Sequence, residues 1–158
     1  MYMFSTISSV NILISKLLYP NIYSCLYSKN VNRIFNYASK DRKLYKKQMN
    51  IINLVQDHHI IPKQFSSHKV LKHINFNIND SRNIIIMPNT NGSRIFKLYE
   101  NHIIHDGNHY LYNNYIKNEL DIMIKYIDND DDRLKLNFYL FHKHLVKNLV
   151  NNKGHIPW

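Results

Sequence analysis

Two long segments in the second half of the chain repeat their apolar residues at three- and four-residue steps. This periodicity constrains the fold more than any other feature, because it demands helices with one buried face. Over 109–127 the repeat is Tyr112, Ile116, Leu120, Met123 and Ile127, with Asn108 placed to cap the start. Over about 132–150 it is Leu134, Phe138, Phe141, Leu145 and Leu149. Acidic residues precede this second helix and Lys147 lies in its last turns, as the helix dipole favours, with Gly154 as its stop. Residues 41–55 also look helical, through Leu44, Met49, Ile52 and Val55.

Strand signals are shorter. Ile60-Ile61 beside Pro62 suggests one strand, ended by the proline. The β-branched run Ile84-Ile85-Ile86-Met87 suggests another. It follows the turn cluster Asn79-Asp80-Ser81-Arg82-Asn83 and ends at Pro88 and the loop 89–92. Between the two, Val70, Leu71, Ile74 and Phe76 fit a short amphipathic turn of helix. Two short strands flanking such a loop can pair as an antiparallel ribbon, so the expected class is a small α+β fold in which the last helix covers the core.

The chain has 158 residues, a size that suits one domain. With 44% hydrophobic and 20% charged residues it has the composition of a packed protein. One cysteine, Cys25, excludes an internal disulfide framework and any multi-cysteine zinc site. The formal net charge of +10 points to a polyanion, with nucleic acid the common case and an acidic membrane surface the other. The Asn, Ile, Lys and Tyr bias is what an AT-rich coding sequence produces, so part of the lysine excess reflects base composition. Lys29, Arg33, Lys40, Arg42, Lys43, Lys46 and Lys47 crowd one stretch, with Tyr37 and Tyr45 interleaved. That stretch reads as a solvated face or as a ridge that contacts phosphates. Residues 1–28 are apolar, too short for a comfortable transmembrane helix and without a basic n-region, and read as an arm packed on the domain. No transmembrane segment is expected.

Ten histidines carry the remaining chemistry. His58 and His59 are adjacent, and neighbours on a strand point to opposite faces, so the two cannot do the same job. One can hold a cation while the other takes a proton from water. His105 and His109 are four apart and meet on one side if both lie in a helical turn; Gly107 between them favours His105 just before the helix and His109 in its first turn, and either way both can close on one cation.

Three stretches come in order: Asp57-His58-His59-Ile60-Ile61-Pro62-Lys63, then 79–88 with Asn83 introducing the strand, then His105-Asp106-Gly107-Asn108-His109-Tyr110-Leu111-Tyr112-Asn113. Together they resemble the HNH nuclease superfamily. They are most similar to the branch named for an Ala-His-His signature, the AHH nucleases, which relates to the phage endonuclease VII group. The last stretch looks like that family's His-x-Gly-x-His-x-x-Tyr-Asn element, and the resemblance covers about residues 57–120. It implies a small ββα-metal (His-Me finger) core at 49–130. That core is flanked by an N-terminal apolar arm and basic helical region at 1–48 and by a C-terminal helix and tail at 131–158.

The resemblance also implies roles. His58, His105 and His109 are metal ligands, and His59 is the general base that activates water. Asn83 is the middle asparagine that braces the loop and orients the base, or in some relatives contributes to the metal. Asn113 is an alternative ligand or a supporting residue, and Tyr112 packs under the site. Asp57 stands where the signature has Ala; it partners an imidazole N–H or is a surface carboxylate, the plainer reading. The cofactor is one divalent ion, with Zn, Ni and Mn suited to histidines and Mg to phosphodiester hydrolysis. Lys63, Arg82, Arg94, Arg42 and Lys43 are candidate phosphate contacts.

The expected function is therefore a metal-dependent endonuclease of low sequence specificity, acting on DNA before RNA; the sequence does not fix its compartment, with a host cytoplasm or nucleus favoured over secretion. AHH-type domains serve as toxins, which an inhibitor or immunity protein restrains, and occur in viruses and mobile elements. Two other classes compete. A non-catalytic nucleic-acid binder would keep the basic ridge and scaffold without needing His59. A structural metal-binding or membrane-associating protein would use the histidines and the apolar arm alone.

Overall fold

The computed structural model describes residues 36–98, 103–151 and 156–158. The apolar arm at 1–28, Lys29, Arg33 and Gly154 lie outside the described residues.

Helix α1, Lys40–Gln48, starts where the Ser39 hydroxyl accepts from the Arg42 N–H. Asp41 in its first turn and Lys46 and Lys47 in its last suit the helix dipole. It stops well before residue 55, because Asn50 takes a left-handed backbone with φ of 55°. The chain then turns into strand β1, Val55–His59. The expected strand is thus displaced: β1 carries both adjacent histidines and ends before Ile60-Ile61. Ile60 still donates its N–H to the Asn83 carbonyl at 2.8 Å, and beyond it the chain leaves the ribbon.

Strand β2, Ile84–Pro88, pairs antiparallel with β1 in the register Val55↔Pro88 through His59↔Ile84. Every residue of β2 is buried. A 3-10 turn, Ser81–Asn83, leads into it, capped by the Asp80 carboxylate on the Arg82 N–H. Between the strands lies the short helix α2, Lys69–His73, whose Val70 and Leu71 are buried.

The stretch after β2, expected as a loop, contains helix α3, Thr90–Ile95. Asn89 caps it by accepting from the Gly92 N–H at 2.9 Å. Gly92 is required there because a Cβ would lie 1.9 Å from the Leu54 carbonyl oxygen. Helix α4, Tyr110–Met123, continues as a 3-10 turn, Ile124–Tyr126. His109, not Asn108, is its N-cap residue, and its side chain makes no capping bond. Helix α5, Asp131–Asn151, begins where Asp130 accepts from the Arg133 N–H at 2.9 Å.

The core is built from the helical repeats and the ribbon. Tyr112, Ile116, Leu120 and Met123 of α4 pack with Leu134, Phe138, Phe141, Leu145 and Leu149 of α5, and with Ile85, Met87, Val70 and Leu71. Each such side chain contributes about 1.5–3 kcal/mol relative to exposure. A smaller cluster of Ile51, Val55, Ile86 and Phe96 joins α1 and α3 to the other face of the ribbon. Two histidines outside the site tie elements together: His68 to Asp121 on α4 at 3.1 Å, and His73 to Asp131 on α5 at 3.0 Å. Among the described residues no helix is long and apolar enough to cross a membrane.

Candidate metal centre

Strand alternation sends the adjacent histidines to different surroundings. His58 is 5% exposed and faces the core. His59 is half-buried, packed against the Tyr37 ring at 4.5 Å. Helix α4 and the loop before it meet His58 because the Tyr112 hydroxyl on α4 donates to the Ile60 carbonyl, one residue past β1. Burial pushes the Tyr112 phenol far up, so it remains a donor.

His105 and His109 reach the same place. The His105 N–H donates to the Pro88 carbonyl at 2.8 Å, which fixes that loop at the end of β2. Gly107 takes φ of 73°, a left-handed backbone that returns the chain toward α4 between the two histidines. Asp106 accepts from the Thr90 hydroxyl at 3.0 Å, tying the turn to α3.

The three rings converge: centroids are 5.3 Å apart for His58–His105, 5.5 Å for His58–His109 and 5.1 Å for His105–His109. One ring nitrogen from each lies within 4.8 Å of the others. Nε2 of His58 and Nε2 of His109 are buried with no hydrogen-bond partner. Leaving a buried polar atom unpaired costs about 1–3 kcal/mol each, a penalty that a shared cation removes. Burial, followed by the neighbouring His105 and His109, holds the His58 pKa well below its ordinary value. Burial lowers His105 and His109 as well. All three are therefore kept neutral, the form in which imidazole ligates a metal. This donor set fits a divalent ion.

Asn83 is fully buried and spends both amide groups on backbone. Its Oδ1 accepts from the Ile61 N–H at 2.8 Å; its Nδ2 donates to the carbonyls of Ile61 at 3.0 Å and Ile78 at 2.8 Å. It braces the exit from β1. The side chain beside His59 is a different asparagine: Oδ1 of Asn79 lies 3.1 Å from His59 Nε2. Burial lowers the His59 pKa most; the Asn79 bond opposes this, and the nearby Lys63 charge reinforces it. Asn113, half-buried one turn into α4, has its backbone N–H on the His109 carbonyl.

The Asp57 carboxylate is taken by two cations of α1, Arg42 Nε at 2.7 Å and Lys46 Nζ at 2.8 Å. Arg42 is accordingly 1% exposed and pins α1 to β1 instead of facing solvent. Lys43 and Arg94 are exposed. Arg82 is exposed but paired with Asp80, Nε to Oδ1 at 2.8 Å. Lys63 is exposed, with Nζ 4.6 Å from the Tyr37 ring centroid, and lies on the His59 side of the ribbon.

Three residues at the site carry no sequence signal of their role. Tyr37 and Asn79 flank His59, and Trp158 rests on His109 with ring centroids 4.0 Å apart. Asn79 reads only as part of a turn cluster, and Tyr37 only as one aromatic in a basic stretch.

A family model matches residues 46–138, more than half of the chain. It is described as AHH, a nuclease family of the HNH/ENDO VII superfamily with conserved AHH. No curated protein and no solved structure matches the chain.

Proposed function

This chain belongs to the AHH family of nucleases in the HNH/ENDO VII superfamily, and from that premise we propose that it is a metal-dependent endonuclease hydrolysing phosphodiester bonds, in DNA before RNA, with low sequence specificity. One observation carries the reading: the rings of His58, His105 and His109 converge with two buried nitrogens that lack a hydrogen-bond partner, while the next residue along the strand, His59, turns to the other face.

In this mechanism His58, His105 and His109 hold the ion. When bound, the ion supplies Lewis-acid polarisation of the scissile phosphate and neutralises charge at the leaving 3′ oxygen. His59 acts as general base. With its Nε2–H given to Asn79 Oδ1, its Nδ1 is the atom left to take the proton of the attacking water. Burial and the Lys63 charge keep the imidazole neutral near pH 7, so that it is ready to accept. Asn83 serves by holding the backbone that follows His59. Lys63, beside Tyr37 on the His59 side, is the cation placed to meet a phosphate backbone there, with exposed Lys43 and Arg94 as further candidates, whereas Arg42 is committed to Asp57. Contacts of that kind read backbone and not bases, which accounts for low specificity and a steep salt dependence.

The test is cleavage of supercoiled plasmid, single-stranded DNA and RNA with Mg²⁺, Mn²⁺, Ni²⁺ or Zn²⁺. Parallel lanes hold EDTA and the His59→Ala variant, with folding checked by circular dichroism. Metal-dependent nicking that is lost in both controls is expected. A folded sample that cleaves none of the substrates with any metal would sink the proposal.

A further inference from the structure

Trp158 lies outside the residues that the family model matches, yet it packs onto the three-histidine centre. Its ring centroid is 4.0 Å from that of His109, 5.0 Å from His58 and 5.4 Å from Tyr112. The contact is anchored twice. The indole N–H donates to the Ile104 carbonyl at 3.1 Å, next to His105, and Ile156, two residues earlier, is 5% exposed in the main core.

The chemistry of this contact is specific. With its only polar atom spent on Ile104, the indole offers no ligand atom and turns an apolar face to the histidines. It adjoins the rings of His58 and His109, whose Nε2 atoms are buried without a hydrogen-bond partner. An apolar wall keeps water from that side, and a drier site strengthens the attraction between a cation and its ligands.

We propose that Trp158 is the wall of the metal centre, a positioning residue that shields a bound ion from water and sets how tightly the three histidines hold it. This rests on the reading of His58, His105 and His109 as ligands. Trp158 is the chain's one tryptophan, so its emission reports on this place alone.

The experiment titrates the full chain with Ni²⁺, following tryptophan emission while a chromophoric chelator reports affinity by competition. An open-shell ion beside the indole opens a path for excited-state decay, so emission is expected to fall in step with binding, at one ion per chain. Trp158→Ala is expected to weaken Ni²⁺ binding roughly 10- to 100-fold, the range typical of residues supporting a metal site. Trp158→Phe, which keeps a flat apolar ring, is expected to retain most of the affinity. Circular dichroism of the metal-free variants reports folding. A folded Trp158→Ala variant with unchanged affinity overturns the proposal, and so does wild-type binding without quenching. The quenching result decides the matter if the alanine variant does not fold. Wild-type protein that binds no Ni²⁺, or binds it without quenching, overturns this proposal together with the ligand assignment, whereas unchanged affinity in a folded Trp158→Ala variant leaves that assignment standing.

Discussion

The Tyr112 hydroxyl donates to the carbonyl of Ile60, and this bond sets the helix that follows His109 against the strand that carries His58. The phenol is fully buried and its ring lies 5.6 Å from that of His58. Tyr112→Phe keeps the packing and removes the donor, leaving a buried carbonyl without it. The expected loss is about 1–3 kcal/mol of stability, measured by urea unfolding. Metal affinity is expected to fall in parallel, because the two halves of the donor set lose their common anchor. Unchanged values for both would show that packing alone sets the spacing.

Asn83 is expected to be costlier. Removing its amide leaves three backbone groups short of a partner at once, the buried Ile61 N–H and carbonyl and the partly buried Ile78 carbonyl. Asn83→Ala should destabilise by about 2–5 kcal/mol. Asn83→Asp should not rescue it, since a carboxylate has no donor for the two carbonyls. Denaturant midpoints of the three proteins check this; an aspartate variant as stable as wild type would contradict it.

The two glycines near the site are predicted to respond differently. Gly92→Ala forces a Cβ to 1.9 Å from the Leu54 carbonyl oxygen, so backbone must move. A loss of at least about 2–3 kcal/mol is expected. At Gly107 a Cβ meets open space, and the cost comes from the φ of 73° alone. Gly107→Ala should cost about 1–2 kcal/mol, and Gly107→Asn less, because asparagine tolerates left-handed backbone. Thermal melts of the three variants rank them.

The metal-free protein should lose stability as pH falls below about 6.5, the ordinary histidine value. His58, His59, His105 and His109 all have lowered pKa values in the folded state, chiefly through burial. The unfolded chain therefore binds protons first, and stability rises with pH wherever it binds more of them. The window opens at the unfolded value and closes once pH has passed below the folded ones; above it these groups contribute no slope. Urea unfolding in EDTA at pH 7.5, 6.5 and 5.5 measures this. Adding an ion at 100 times its dissociation constant at pH 7.5 should add about 2.7 kcal/mol. A flat pH profile would mean that the histidines are not buried neutral.

Local pattern and tertiary contact divide this protein between them. The faces of α4 and α5, the antiparallel ribbon and the order of His58, His59, His105 and His109 were all legible in the sequence. Helical and strand periods are local properties, and the family's motif is written in residue order. The exact reach of β1 was not legible. Ile60 and Ile61 look more strand-like than Asp57 and His58, but Asn83 takes both amide groups of Ile61 out of the ribbon's ladder. Helix α3 was hidden because its sequence, Thr90–Ile95, has no apolar period; it exists through the Asn89 cap and the close approach of Gly92 to Leu54.

The same separation holds at the site. Residue type and spacing alone set His105 four residues from His109 and sent the adjacent His58 and His59 to different faces of the strand. Only the tertiary structure decided their surroundings: Arg42 drawn inward by Asp57, Asn79 beside His59, and Trp158 on His109. Those contacts join residues 15, 20 and about 50 positions apart. No short-range propensity encodes such a meeting; it is set by the closing of loops over a buried core, whose energy depends on every element at once.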